Sequence, residues 1–159
     1  DTELFKENFK ELKNILSKKE IDNKEYASAV SKLFIIDFYT LSNKTSINDV
    51  GSVQFVYSSF RTDFVDLARA GIYKQVKSNL DNDRSQDLPE VKSVTINSIE
   101  EIVPSTELKS DDFKNVNDSE AYKVKISWDY TKSNDFQTSA TMVIVKDGEK
   151  LSVAKLEDE

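Results

Sequence analysis

The chain has 159 residues and carries 22 basic against 29 acidic side chains, a net charge of -7; this length fits one domain that can bury a full core without covalent staples. It contains neither Cys nor His, which excludes disulfides, thiol catalysis, zinc–thiolate sites and imidazole acid–base chemistry. The acidic surplus repels phosphate backbones and anionic lipid, so no nucleic-acid partner is expected, and no apolar run of about 18 residues exists to span a membrane.

Residues 2–17 read as a first helix. Phe5, Phe9, Leu12 and Leu16 recur at helical spacing, with Leu4 and Ile15 beside them and Lys6, Lys10, Glu11 and Lys13 opposite. Such a face packs on its own domain or mediates homodimerisation. A second helix is expected over 22–41, with Asp22 as N-cap, Glu25 as its capping-box partner, and Ile21 and Tyr26 as a hydrophobic staple. Tyr26, Val30, Leu33, Phe34, Phe38 and Leu41 line one face, and Ala27, Ala29, Ile35 and Ile36 widen it. So broad an apolar surface needs cover on more than one side. One acid, Asp37, sits inside this run.

Ile47 to Tyr57 reads as a short extended piece or a helical turn, with Asn48, Asp49 and Gly51 marking a turn. A third helix is expected over 59–79, with Phe60, Phe64, Leu67, Ala68, Ile72 and Val76 on its apolar face. Gly71 lies on that face, so another backbone is expected to pass close to it.

After the polar loop from Leu80 to Pro89 the hydrophobic period falls to two. Strands are expected over 91–103, 120–131, 136–146 and 150–156. Val94 and Ile96 fall out of step with Ile99 and Ile102, the mark of a β-bulge. Tyr122, Val124, Ile126, Trp128 and Tyr130 alternate without fault. Asp147-Gly148 signals a two-residue hairpin. Pro104 to Ser119 is a long charged loop with room for a short helix.

Helices first and an antiparallel meander afterwards indicate an α+β domain with helices on one face of the sheet. In order and size of elements the chain resembles the NTF2-like members of the cystatin-like group. That resemblance implies a curved C-terminal sheet wrapped around a conical pocket. The run LFIIDFYTLSNK and the helix start FVYSSFRTDF also look like extracytoplasmic domains of membrane-anchored or lipoprotein-type proteins from Gram-positive bacteria. Such domains include VirB8-like components of conjugation machines, which are non-catalytic assembly parts. The chain opens at Asp1 and not at Met, so a missing N-terminal segment is expected to carry the anchor and to provide the only link to a membrane.

The resemblance implies a non-enzymatic scaffold that binds a protein partner or a small apolar ligand, with no cofactor. The alternative is an isomerase or hydrolase in which Asp37 acts with Tyr39 or Tyr57 in a pocket, as some NTF2-like enzymes combine carboxyl and phenol groups. Trp128 and Tyr130 share one face of the best strand; in such a cone they line the pocket beside Asp37, and otherwise they are core. Asp81 to Asp87 begins like a calcium loop but has Gln86 where the turn Gly belongs and Lys92 where the bidentate Glu belongs, so no metal site is expected. Asn43-Lys44-Thr45 and Asn117-Asp118-Ser119 match glycosylation acceptors.

Overall fold

The structure, a computed structural model, describes residues 1–108 and 120–158. Its elements run α1 (Glu3–Leu16), α2 (Asn23–Tyr39), α3 (Arg61–Ala70), β1 (Val91–Ile102), α4 (Pro104–Glu107), β2 (Ala121–Tyr130), β3 (Ser139–Asp147) and β4 (Lys150–Asp158). The strands form one antiparallel sheet in the order β1-β2-β3-β4. This is the α+β architecture read from the sequence. No described helix is long and apolar enough to cross a membrane.

Both long helices start where their caps dictate. Thr2 accepts from the amide of Phe5 to open α1, and Asp22 accepts from the amides of Lys24 and Glu25 to open α2, satisfying donors that have no partner inside the helix. Glu25 reaches across to Lys18 at 3.7 Å. Ile21 stays largely exposed while Tyr26 is buried.

α2 is the centre of the molecule. Ala27, Leu33, Phe34 and Ile35 are fully enclosed, because α1 packs on one flank and all four strands contact another. Tyr122, Val124, Ile126 and Trp128 of β2, with Ala140, Met142 and Ile144 of β3, supply the sheet's half of this core. A smaller cluster on the opposite face of the sheet joins Tyr57, Leu108, Ala121, Val143 and Val145.

The bulge in β1 lies where the hydrophobic phase slips, between Ile96 and Ser98, and a second irregularity falls between Val91 and Ser93. The β3–β4 turn has Gly148 at φ 65°, the left-handed conformation expected at the first central position of a tight hairpin.

Several boundaries depart from the sequence reading. The third helix does not continue to 79: it stops at Ala70, and a single 3-10 turn, Ile72–Gln75, follows Gly71. Among the described residues no other backbone passes close to Gly71; a Cβ there would meet the helix's own Leu67 carbonyl at 3.1 Å. β3 begins at Ser139, not at 136, because the Asn134 side chain takes the Phe136 amide at 2.9 Å and holds that residue in the turn. β4 continues to Asp158, beyond 156. The ambiguous stretch before α3 holds a left-handed Ser52 and one 3-10 turn, Val53–Phe55. Val56 then forms a parallel bridge to Val153. The second glycosylation acceptor and the centre of the charged loop lie outside the described residues.

Candidate functional site

Asp37 is held on every side. One carboxylate oxygen meets the Lys44 ammonium at 3.0 Å and the other accepts from the Ser52 amide at 2.7 Å. Lys44 also donates to the Asn43 side chain at 2.9 Å. The side chains of Lys44 and Asp37 are 5% and 17% exposed. This is a largely buried ion pair supported by further hydrogen bonds, which is how charge is tolerated away from water.

The loop that supplies Ser52 is tied to α2 at two further points, one of them through Tyr73. Ser52 Oγ donates to the Phe34 carbonyl at 2.7 Å. The Gly51 amide donates to Tyr73 Oη at 3.0 Å, and that hydroxyl donates to the Phe38 carbonyl at 2.7 Å. Burial pushes the Tyr73 phenol well above its ordinary value; the Gly51 amide pulls the other way, and Asp37 and Asp49 add to the rise. A Cβ on Gly51 would sit 2.5 Å from the Asp37 carbonyl oxygen. The close backbone approach expected at Gly71 therefore occurs at Gly51. Around Asp37 the surface forms only a polar depression of about 200 Å³, shared with Asp1, Asn43, Lys44 and Asp49.

Tyr39 and Tyr57 do not join Asp37. The Tyr39 ring packs at 4.7 Å from Trp128 and its hydroxyl donates to Gln137 Oε1 at 3.1 Å. Trp128 Nε1 donates to Tyr130 Oη at 3.0 Å, and Tyr130 donates to the Gln137 carbonyl at 2.6 Å. This closed network locks the start of β3 onto α2. Burial is the main cause of the strong rise in the Tyr39 phenol pKa, with Asp158 and Tyr130 adding to it. Tyr57 stands elsewhere, against Phe60 at 5.5 Å and in the cluster behind the sheet. The candidates Asp37, Tyr39, Tyr57, Trp128 and Tyr130 thus divide among three separate environments, and no acid and phenol meet over a common space.

The space that exists lies on another side of α2. An apolar groove of about 370 Å³ runs between α2, α3 and β4. Phe34 and Phe38, both buried, lie beneath it, with Phe64 and Leu67 on one wall and Val153 to Leu156 on the other. The Phe64 ring lies 5.7 Å from Phe34 and 5.2 Å from Phe38. Leu67, on the rim, is 73% exposed. The charged residues that line it are Asp63 and Lys155. A hollow of the same volume between α1 and α2 is lined mostly by amide and charged side chains, so the groove is the better match to the apolar, sparsely polar character of ligand sites.

The calcium-like stretch is structural. Arg84, in the calcium-like stretch, donates to the carbonyls of Ser42, Lys44 and Lys77 at 2.8 to 3.0 Å. Among the described residues no group of three or more acidic side chains is arranged to hold a metal ion.

Phe64 and Leu67 carried a signal in the sequence, the apolar face of α3. That face does not say whether it is covered, and Leu67 on it is left exposed. Lys44 carried no signal at all: a lysine in a polar loop reads as solvated. Comparison of the chain with protein-family models, curated proteins and solved structures finds no match.

Proposed function

We propose that this is a non-enzymatic binding domain whose site is the apolar groove between α2, α3 and β4. The observation that carries the reading is the exposure of Leu67 beside a space of about 370 Å³ floored by Phe34 and Phe38. Apolar surface left open at a concave site gains free energy when an apolar occupant displaces its water. Of the two charged lining residues, Lys155 is tied to Glu157 at 2.9 Å, which leaves no acid–base pair poised over the groove. The extracytoplasmic, membrane-tethered setting belongs to the same proposal and rests on the resemblance of the sequence alone.

Titration with Nile red, a neutral solvatochromic dye, tests the reading. Saturable binding is expected, with a blue-shifted emission that Leu67→Asp abolishes and Tyr130→Phe leaves intact. Binding that survives Leu67→Asp would place the apolar site elsewhere and overturn the assignment.

A further inference from the structure

Four consecutive residues of β4, Val153, Ala154, Lys155 and Leu156, line the groove. Successive side chains of a strand point to opposite faces of its sheet, so a cleft reached by four in a row looks onto the strand's edge. β4 is the terminal strand and pairs within the sheet only with β3. On its outer side it has one backbone partner among the described residues: the Tyr57 amide donates to the Val153 carbonyl at 2.8 Å, next to the parallel bridge from Val56. From Ala154 towards Asp158 the outer edge has no backbone partner among the described residues. The groove therefore combines a row of backbone donors and acceptors on one side with an apolar trough on the other.

Charge narrows the occupant. Lys155 is neutralised by Glu157 at 2.9 Å and also donates to the Glu107 carbonyl at 3.2 Å. Asp63 on the facing wall and Asp158 at the end of the strand make no ion pair among the described residues. A second copy of this chain would bring the same acid to the same edge, and with a net charge of -7 the copies repel.

On the reading of the groove as the binding site, we infer that its occupant is an extended polypeptide segment of a basic partner protein. It adds as a strand to β4, buries alternate apolar side chains against Phe64 and Leu67, and places Lys or Arg beside Asp63 and Asp158. Backbone pairing supplies affinity and the trough supplies specificity, the division of labour seen in strand addition generally.

The probe is a fluorophore-labelled peptide alternating Val and Lys, read by anisotropy against the intact chain. Two derivatives carry N-methyl groups on one or the other alternate set of amides. Since alternate amides of an added strand face the sheet, one set should weaken binding by at least about tenfold and the other should leave it nearly unchanged. Glu in place of the Lys residues should abolish binding, and Asp63→Lys should reverse that preference. Equal loss from both methylated sets, or no response to Asp63→Lys, would overturn the strand-addition proposal. Nile red binding without any peptide binding would overturn it too, while leaving the groove as an apolar site. If neither probe binds, the groove reading falls, and this inference with it.

Discussion

Two sides of the second half of α2 meet the same loop-rich end of the molecule in opposite ways. On one side Asp37 binds Lys44 and the Ser52 amide, and the Ser52 hydroxyl and Gly51 amide are bonded as well, all at 2.7 to 3.0 Å. On the other, Phe34 and Phe38 face the groove and Leu67 stands open beside them. A polar clamp whose groups bond one another fixes the loop to the helix. An open apolar trough keeps a free-energy gain in reserve for whatever fills it. The charged residue in the greasy run therefore serves the fold, and Leu67 and the half-buried Phe64 are the better candidates for binding.

The clamp can be broken most severely at its charge. Asp37→Ala leaves the Lys44 ammonium, 5% exposed, without its counter-ion, and removal of one partner of an internal pair costs about 3–5 kcal/mol. A fall of that size in urea unfolding is expected. Replacing both partners, Asp37→Leu with Lys44→Met, should recover most of it. A loss under about 1 kcal/mol for the single change would mean that the pair behaves like a solvent-screened surface bridge, and the contrast between the two sides would collapse.

Next in size is Gly51→Ala. The new methyl would lie 2.5 Å from a backbone oxygen of α2, and a backbone atom in a packed helix cannot move aside cheaply. Overpacking of this kind costs about 1–3 kcal/mol. Loss of the clamp's bonds should accompany it, seen as faster hydrogen exchange at the Gly51 and Ser52 amides. Unchanged protection at both positions would show that the loop is held by something other than this contact.

How far the sequence could carry the clamp and the groove follows from the kind of signal each element leaves. α2 was legible because its cap and its helical repeat are local, and β2 because its alternation has no fault. The ion pair was half legible: Asp37 stood out among apolar neighbours, but Lys44, seven residues on, has no pattern that separates a buried lysine from a solvated one. Gly51 and Gly71 look alike in one dimension, and only the tertiary path decides which backbone comes close. The groove was hidden for the same reason. The α3 stripe reads as core cover, and only the tertiary packing shows that Leu67 on it is left exposed.

Alkali probes the clamp from a different direction. Burial raises the phenols of Tyr39 and Tyr73 well above their ordinary value near 10. A phenol whose folded pKa exceeds its unfolded pKa favours the folded state fully below the unfolded value. That contribution is lost as pH climbs from about 10 towards the folded value. These two groups should therefore leave stability flat through neutral pH and begin to lower it above about pH 10. Their phenolate absorbance should appear together with unfolding, and Tyr73→Phe should remove its share of the alkaline slope. It should also cost about 1–3 kcal/mol at neutral pH through the unpaired Gly51 amide and Phe38 carbonyl. Ionisation of all six tyrosines below the unfolding transition would show that neither ring is enclosed as described.

The smallest expected effect on stability is the one that separates the two sides most sharply. Leu67 is 73% exposed, so Leu67→Asp removes little that folding has buried. Surface changes of this kind fall within about 0.5 kcal/mol. The same substitution puts a carboxylate on the rim of the groove, where an apolar occupant would have to desolvate it. Urea unfolding should thus stay near that of the parent chain while dye binding disappears. Asp37→Ala at a temperature where it remains folded should do the reverse, weakening the fold while the groove at Phe64 and Leu67 still binds. If the two substitutions instead lose stability and binding in parallel, the clamp and the groove are one cooperative unit. The division of α2 into a structural side and a binding side would then be wrong.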